Sequence, residues 1–439
     1  MIIKPADVHK TLGRYMIVDG FDFVLDLKKS KGCQIYDSRN NKYLLDCFSF
    51  FATAPIGVNH PKLSNPEFIK KIGEISVNNP TNSDIYTTEM AEFVDTFAKY
   101  VVPEHFKHLF FIAGGALAVE NGLKTAFDWK IRKNIARGKG EKLGTQVIHF
   151  KEAFHGRTGY TLSMTNTFNL DKTKYFPKFN WPRITNPKIA YPLNKENLEE
   201  VKNLEKQAIF EIKTAIEKNP DDIAALIIEP IQGEGGDNHF RKEFFQELRR
   251  ICDENEIMFI IDEVQSGVGL TGKTWAYEHF DFQPDILAFG KKTQVCGMMV
   301  SSRVDEIKDN VFQVSSRLNS TWGGNLVDMV RCQKYLEVID EEKLVKNAAV
   351  QGKRLLAGLQ DIDKKYPNKI FNVRGFGLMC AFDCVTPEKR DELKNKLYSN
   401  GLIILGCGSK TIRFRPPLII SSDEIDKTLG IIDKTIKDF

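Results

Sequence analysis

The chain has 439 residues, of which 42% are hydrophobic and 27% are charged, so it is long enough for two or three domains and does not have the composition of a disordered protein. Its 62 basic and 58 acidic residues are interspersed and leave a net charge of +4, which gives no electrostatic argument for binding nucleic acid or an anionic membrane. We expect its partners to be small molecules and a second copy of the chain.

The eight cysteines are scattered, without a Cys-x-x-Cys pair or nearby histidines. This pattern favours reduced core thiols in a cytoplasmic protein over a zinc site or a disulfide framework, and we expect no metal. The role of Cys296 stays open, because it lies close to a lysine pair described below. The N-terminus lacks the apolar core of a signal peptide, and the longest apolar runs, near 224–228 and 402–405, are too short to cross a bilayer.

The middle of the chain alternates strand-like and helix-like patterns, which predicts an α/β fold with a mostly parallel sheet covered on both faces. The predicted strands are short apolar runs at 108–112, 146–150, 223–228, 258–262 and 286–289. Apolar residues at helical spacing predict crossover helices across 119–131 and 244–252. Residues 166–206 lack a clear period and predict a long irregular excursion of the kind that often carries function. After about residue 325 the pattern indicates a smaller α+β region, with strands at 370–373 and 377–382.

Two motifs in the first half of the chain follow predicted strands. The glycines of Ala113-Gly-Gly-Ala116 precede an amphipathic helix, where free backbone N–H groups and the positive helix end can bind phosphate. The alternative, favoured on this segment alone, is a turn that needs glycine for its backbone angles. In Ala153-Phe-His-Gly-Arg-Thr158 the aromatic ring is suited to stack on a planar cofactor. The alternative places Phe154 in the core and His155 in a surface hydrogen bond, and the motif alone does not decide between them.

Acidic residues follow two later strands. Glu229 and Glu234 lie in Ile228-Glu-Pro-Ile-Gln-Gly-Glu-Gly-Gly236, and Asp262 begins Asp262-Glu-Val-Gln265. Open α/β sheets bind ligands at the carboxyl ends of their strands, so these side chains are candidates for a ligand site. A carboxylate there can pair with a pyridinium nitrogen and keep the ring an effective electron sink.

Residues 267–274 match the phosphate-loop pattern G-x-x-x-x-G-K-[ST] at every position, so a nucleotide hydrolase is the rival hypothesis. The context does not fit, because a true phosphate loop opens a long helix, whereas only a short segment follows here before Asp281 and Pro284. The next predicted strand also ends without the expected acid. We therefore predict that Lys273 is a solvated loop residue.

The most informative segment spans residues 285–297, in which a short apolar strand leads into the pair Lys291 and Lys292. A lysine at the end of a buried strand is costly unless its amine is neutralised or converted to an imine. The position therefore indicates a Schiff base with pyridoxal phosphate. Spacing alone does not say which lysine of the pair forms it.

In order along the chain, these motifs resemble those of class III pyridoxal phosphate-dependent aminotransferases, and Thr321-Trp-Gly-Gly-Asn325 and Ile412-Arg-Phe-Arg-Pro-Pro417 extend the resemblance over nearly the whole sequence. Within the family, the phosphate turn at 115–121 and the lysine segment at 289–297 are most similar to those of lysine ε-aminotransferases. Most members instead carry Ser or Thr in the phosphate turn and a glycine run after the lysine. This difference narrows the choice of subfamily, and it implies that one hydroxyl contact to the phosphate is absent.

The resemblance implies how the cofactor, pyridoxal 5′-phosphate, would be held. Lys291 aligns with the imine lysine and Lys292 is then a neighbour. Asp262 would pair with the pyridine nitrogen, Gln265 would bond the ring hydroxyl, and Phe154 would stack on the ring face. The phosphate would be bound by Gly115, Ala116 and, from a second subunit, Thr321.

The resemblance also implies how substrate would be held. Arg157 and Arg413 would bind substrate carboxylates, and Glu234 would be able to pair with Arg413. Glu229 would belong to the wall of the site, without an assigned role.

As a whole, the resemblance implies a fold-type I transferase that works as a homodimer with shared active sites. A large cofactor-binding domain would span 63–325, and a small domain would combine an N-terminal segment, 1–62, with residues 326–439. The reaction would be ping-pong transfer of the ε-amino group of L-lysine to 2-oxoglutarate, giving 2-aminoadipate 6-semialdehyde and L-glutamate. The alternative within the family is an ω-aminotransferase for ornithine or 4-aminobutyrate.

Overall fold

The computed structural model describes residues 3–439. The helices are α1 (Val8–Leu12), α2 (Ser49–Ala52), α3 (Pro66–Ser76), α4 (Thr88–Val101), α5 (Gly115–Ala136), α6 (Gly159–Met164), α7 (Lys195–Lys218), α8 (Lys242–Glu254), α9 (Leu326–Glu341), α10 (Leu344–Lys365), α11 (Pro387–Ser399) and α12 (Ser422–Lys437). The strands are β1 (Gln34–Asp37), β2 (Lys42–Asp46), β3 (Phe106–Ile112), β4 (Gln146–Phe150), β5 (Arg183–Ile184), β6 (Ile223–Ile228), β7 (Met258–Asp262), β8 (Ile286–Phe289), β9 (Cys296–Ser301), β10 (Ile370–Phe376), β11 (Met379–Cys384), β12 (Leu402–Ile403), β13 (Leu405–Cys407) and β14 (Thr411–Phe414).

The central feature is a seven-stranded sheet with the strand order β3-β9-β8-β7-β6-β4-β5. The pairs from β8 through β5 are parallel, whereas β9 is antiparallel to both of its neighbours. This arrangement confirms the predicted α/β fold with a mostly parallel sheet. Strand β9 was not predicted, and only three residues separate it from the lysine pair.

Both faces of this sheet are covered, as expected for a mostly parallel sheet whose central strands, such as β6 and β8, are apolar. In β7, Met258 and Ile260 pack on the side of α5, together with Val119 of that helix. Phe259 and Ile261 point the other way and pack in the larger cluster that includes Phe244 of α8. Successive residues of one strand therefore anchor opposite helix layers, and the carboxyl ends of the strands are held in fixed positions.

The structure also contains two smaller sheets. Strands β10-β11-β14-β13 form an antiparallel sheet, and β1-β2-β12 form the second. In the latter, Leu402 of β12 pairs in parallel with Leu45 of β2, so the two ends of the chain share one sheet. The domain boundaries given above stay a prediction. Within residues 3–439, the structure contains no helix long and apolar enough to cross a bilayer.

Two expectations about irregular regions have different outcomes. The predicted excursion across 166–206 is wrong from Lys195 onward, because α7 begins there, with the Asn194 side chain accepting from Asn197 N–H at 2.9 Å. The buried residues of this helix extend to Ile212, so part of its helical pattern lies beyond residue 206, where the predicted excursion ends. The rejection of the phosphate loop is confirmed: Lys273 is exposed, and a short 3₁₀ turn (Ala276–His279) follows instead of a long helix.

Candidate active site

A cavity of about 670 Å³ opens at the carboxyl ends of the parallel strands. Its lining includes Gly115 after β3, Phe154 after β4, Glu229 after β6, Asp262 at the end of β7 and Lys291 after β8. These segments are far apart in the sequence and meet because their strands are neighbours in one sheet. The cavity therefore collects most of the predicted site residues at the place where such sheets bind ligands.

The two adjacent lysines point in different directions. Lys291 lines the cavity, and its Nζ donates to the carbonyl oxygen of Phe51 at 3.1 Å. Lys292 is 2% exposed, and its Nζ donates to the carbonyl oxygen of Gln265 at 2.6 Å. The divergence follows from the backbone, since Lys291 has a φ of +51°, a left-handed conformation that is strained for a residue with a side chain. Lys291 is therefore the lysine whose amine can reach a ligand.

Burial lowers the pKa of Lys291 to about 8, and the positive charges of Arg413 and Arg415 act in the same direction. Burial also lowers the pKa of Lys292, well below the ordinary value for lysine. Only a neutral amine can attack a carbonyl carbon, so the environment of Lys291 increases the nucleophilic fraction of this amine near neutral pH.

A buried pair of His155 and Asp262 forms the floor of the cavity. His155 Nδ1 lies 2.8 Å from Asp262 Oδ2, and the other oxygen of Asp262 accepts from Val264 N–H at 3.1 Å. His155 is 3% exposed, so the alternative of a surface hydrogen bond for this histidine is wrong. Its Nε2 is buried and has no hydrogen-bond partner among the described residues. The motif contained the histidine, but only the packing of the β4 loop against β7 showed its partner.

Glu229 lies next to this pair and is the most perturbed carboxyl group of the cavity wall. Burial is the main cause that raises its pKa to about 7, and the negative charge of Asp262 acts in the same direction. Its two oxygens accept from Phe154 N–H at 2.9 Å and from Gly233 N–H at 3.1 Å. Glu229 therefore ties the Phe154 loop to the end of β6, which is a positioning contribution that the sequence did not reveal.

Gln265 is held by two arginines. Its Oε1 accepts from Arg413 Nη1 at 3.2 Å and from Arg415 Nη2 at 3.0 Å. Arg415 in turn forms a wholly buried ion pair with Asp237, with Nη1 to Oδ2 at 2.8 Å. Because guanidinium groups only donate, they fix which amide atom faces them. The amide nitrogen of Gln265 is then left to donate to a ligand.

The turn into α5 is shaped for close approach of an anion. Gly114 has a φ of +109°, and α5 begins at Gly115 without a capping side chain. A Cβ at Gly115 would lie 2.9 Å from Val264, and one at Gly156 would lie 2.4 Å from the Cβ of Ala116. The positive end of the helix therefore faces the cavity with its backbone N–H groups unobstructed, as an anion site requires.

Glu234 has a partner that the sequence did not indicate. Its Oε1 accepts from Lys172 Nζ at 2.5 Å, whereas the expected partner, Arg413, contacts Gln265 in this structure. Arg413 is 4% exposed, and its Nε has no hydrogen-bond partner among residues 3–439. A buried guanidinium with unused donors is a ready site for a carboxylate.

Two predicted site residues lie elsewhere. Arg157 and Thr321 are exposed, and neither lines the cavity. The expectation that Thr321 serves a second subunit stays a prediction. The structure does not bring Arg157 into the wall formed by the described residues, although it follows Gly156, which is part of that wall.

One part of the wall comes from the N-terminal region and was missed entirely. Residues of α2 have φ values of +42° to +66°, so this turn is left-handed, and Phe51 within it lines the cavity. Such a conformation costs about 1–2 kcal/mol per residue. The turn is stabilised by Asp46 Oδ1, which accepts from Phe48 N–H at 2.9 Å and from Ser49 N–H at 2.7 Å. No sequence signal predicts a left-handed turn of residues that all have side chains.

Comparisons with known proteins agree with this geometry. The family model for class III aminotransferases matches residues 15–436. The L-lysine-epsilon aminotransferase of Mycobacterium tuberculosis is 50% identical over 98% of this chain and 95% of the relative. The enzyme of the same name from Streptomyces clavuligerus is 46% identical over 99% of this chain and 95% of the relative. The mitochondrial 4-aminobutyrate aminotransferase of Homo sapiens is 32% identical over 99% of this chain and 89% of the relative.

A solved structure of lysine aminotransferase from M. tuberculosis, in the internal aldimine form, superimposes with a TM-score of 0.97 at 49% identity, covering 99% of this chain and 100% of that one. The cavity fits pyridoxal 5′-phosphate group by group. The N–H groups at the start of α5 suit its phosphate, the free amine of Lys291 suits its aldehyde, and the buried Asp262 suits its ring nitrogen. The chain belongs to the class III aminotransferases, which use pyridoxal 5′-phosphate.

Proposed function

We propose that the protein transfers the ε-amino group of L-lysine to 2-oxoglutarate in a ping-pong reaction that yields 2-aminoadipate 6-semialdehyde and L-glutamate. The observation that carries the choice of donor is the 50% identity, across 98% of the chain, to relatives named L-lysine-epsilon aminotransferase. The relatives named for 4-aminobutyrate are more distant, at 32% identity. Ornithine and 4-aminobutyrate are therefore kept as alternative donors to be tested.

When bound, pyridoxal phosphate supplies an aldehyde for the amino group and a ring that stabilises negative charge on the substrate carbon. Asp262 would keep the ring nitrogen protonated, and His155 would hold the Asp262 carboxylate in place. Gln265 would donate from its amide nitrogen to the ring oxygen, because both arginines engage its carbonyl oxygen. Phe154 would lie against the ring face.

The phosphate group would be bound by the backbone N–H groups of Gly115 and Ala116, with Thr321 of a second copy adding a hydroxyl. This assignment makes a homodimer the smallest functional unit. It is supported by the exposure of Thr321 and of the neighbouring Trp322, whose side chain is 46% exposed although tryptophan is largely buried in most proteins.

Lys291 would move the proton that the reaction relocates. Its Nζ is the one amine on the described cavity wall with a pKa lowered to about 8 by burial, so it can accept a proton from the substrate carbon and return it to a second carbon. A group with a pKa near the working pH does both efficiently. The low pKa thus serves nucleophilic attack and proton transfer with one side chain.

Two arginines and one acid would accommodate two different substrates. Lysine presents its ε-carbon with its carboxylate far away, whereas glutamate presents its α-carbon with one carboxylate near and one distant. Arg157 would bind the distant carboxylate of both, and Arg413 the near carboxylate of glutamate alone. During the lysine half-reaction, Glu234 would neutralise Arg413, because a buried unpaired guanidinium costs several kcal/mol.

Nitrogen labelling tests the proposed donor position. Protein with bound cofactor is incubated with 2-oxoglutarate and lysine carrying ¹⁵N at the ε position or at the α position, and the glutamate formed is analysed by mass spectrometry. The proposal predicts labelled glutamate from ε-labelled lysine only. Label from the α position, or faster turnover with ornithine or 4-aminobutyrate, would assign the activity differently.

The expected location in a reducing compartment is also a proposal. It is supported by the eight cysteines, all of which are free and buried. Burial raises the pKa of such thiols, for example that of Cys332. A thiol with a raised pKa is rarely ionised and is therefore a poor nucleophile. Cys296 lines the cavity, but burial raises its pKa too, so we assign it no chemical step.

A further inference from the structure

Lys172 lies in the wall of the cavity and has no part in the function proposed so far. It ends the 3₁₀ turn Leu170–Lys172, inside the segment that the sequence predicted as an excursion. Its Nζ donates to Glu234 Oε1 at 2.5 Å and lies 5.9 Å from the centre of the Phe154 ring. Its side chain is 33% exposed and that of Glu234 is 22% exposed, so this ion pair is partly shielded from water.

The ion pair between Lys172 and Glu234 affects the charge balance around Arg413. Arg413 is 4% exposed, contacts Gln265 through Nη1 and leaves Nε without a partner in the described chain. With Glu234 on Lys172, the acid does not occupy Arg413, and the guanidinium is open to a carboxylate from a ligand. In this arrangement the Nε of Arg413 is available to a carboxylate of a bound ligand.

We propose that Lys172 determines specificity by giving Glu234 a second position, away from Arg413, when a dicarboxylate binds. The inference rests on the proposed function, in which Glu234 pairs with Arg413 while lysine is bound. A carboxylate that left a guanidinium for water would lose a charged hydrogen bond. An ammonium at the second position replaces that bond, so the two positions of Glu234 are closer in free energy.

The proposal separates ligands by their number of carboxylates. Glutarate has the carbon skeleton and both carboxylates of 2-oxoglutarate, so its binding needs Arg413 free and Glu234 on Lys172. Hexanoate has one carboxylate, which corresponds to the distant one of lysine, so its binding does not need Arg413 to be free. Loss of Lys172 reduces the population with Arg413 free, and therefore weakens the binding of glutarate but not of hexanoate.

The test uses the protein with bound cofactor and measures dissociation constants of glutarate and hexanoate from changes in the visible spectrum. Lys172→Met is compared with Lys174→Met, a matched control at an exposed lysine two residues away that pairs with Asp171. We expect Lys172→Met to weaken glutarate about three- to tenfold, in the range of a partly buried ion pair, with hexanoate unchanged. Lys174→Met should bind both ligands as the unaltered protein does.

Two results would overturn the proposal. Unchanged glutarate binding in Lys172→Met would show that Glu234 needs no second partner. Equal weakening of both ligands would show that Lys172 binds the distant carboxylate itself.

A double variant isolates the coupling between the two residues. In a Glu234→Gln background the acid no longer has to be moved, so Lys172→Met should add no further loss of glutarate affinity. An additive loss would contradict the proposal. Because ligand binding needs no turnover, failure of the lysine-labelling test would change the donor and leave this result standing.

Discussion

His155 Nδ1 lies 2.8 Å from Asp262 Oδ2, and the two side chains are 0% and 6% exposed. The residues come from the loop after β4 and from the end of β7, and only the sheet brings them together. A carboxylate that is buried, fixed by an imidazole and bonded to Val264 N–H cannot rotate freely. It therefore offers its charge in one direction, toward the cavity, which is how electrostatic stabilisation is prepared before a ligand arrives.

Asp262→Asn should lower the rate of both half-reactions by several orders of magnitude, because an amide does not hold the ring nitrogen protonated. Rapid-mixing measurements with lysine, and separately with 2-oxoglutarate, would show it. His155→Ala should reduce the rates less, since it removes the support of the carboxylate and not its charge. Near-normal rates in Asp262→Asn, with cofactor bound, would rule out the proposed role.

Lys291→Ala should abolish turnover while leaving the fold intact, since one amine both attacks the aldehyde and carries the proton. Borohydride reduction followed by peptide mapping should find the cofactor on Lys291 in the unaltered protein and on neither lysine in the variant. The amine of Lys292 faces the carbonyl oxygen of Gln265, away from the cavity, so Lys292→Met serves as the matched control and should retain the label. Label on Lys292 would reverse the assignment.

The uptake of pyridoxal phosphate by the cofactor-free protein should depend on pH in a specific way. Burial lowers the pKa of Lys291 to about 8, so the neutral fraction rises about tenfold per pH unit below that value and levels off above it. For a lysine with an ordinary pKa, the fraction of neutral amine, and with it the rate of uptake, would still be rising at about pH 10. Arg413→Met removes a positive charge that lowers the pKa of Lys291, so the plateau should move to higher pH. A stopped-flow series across this range measures both effects.

Thr321→Ala should weaken cofactor retention by about 1–3 kcal/mol, the value of one hydrogen bond to a charged group, and Thr321→Ser should restore it. Equilibrium dialysis of the cofactor provides the measurement. Hybrid dimers show whose site Thr321 serves. If it serves the other subunit, mixing Lys291→Ala with Thr321→Ala subunits leaves one fully intact site per dimer. If it serves its own subunit, no intact site remains.

Arg413→Ala should impair the glutamate and 2-oxoglutarate half-reaction far more than the lysine half-reaction, because only the former brings a carboxylate close to this guanidinium. Arg157→Ala should damage both halves, and Glu234→Gln should chiefly weaken the use of lysine. Single-turnover spectra of each half-reaction would separate these effects. Equal losses in both halves for Arg413→Ala would contradict the assignment of the two arginines.

Patterns local in the sequence predicted the sheet and much of the candidate site. The apolar runs that became β4, β6, β7 and β8 were predicted with the observed bounds, because a strand that is buried on both faces is mostly apolar. The motifs after those strands placed Phe154, Asp262 and Lys291 in the cavity wall. The rule that ligands bind at carboxyl ends marked these segments as candidates, and the resemblance to the family then selected Phe154 and Lys291 within them.

Contacts between distant segments were decided by the tertiary structure alone. Spacing along the chain could not choose between Lys291 and Lys292, and only the resemblance to the family favoured Lys291, because the choice depends on a strained backbone angle and on the atoms that each amine contacts. The sequence did not predict the left-handed turn that holds Phe51, or the two arginines that orient Gln265. Lys172 and Glu234 are separated by 62 residues, and the sequence around either residue does not predict that the two form an ion pair. Such pairs form because the packing of whole strands and loops fixes the positions of their side chains, and each charged group then pairs with a neighbour from a distant part of the chain.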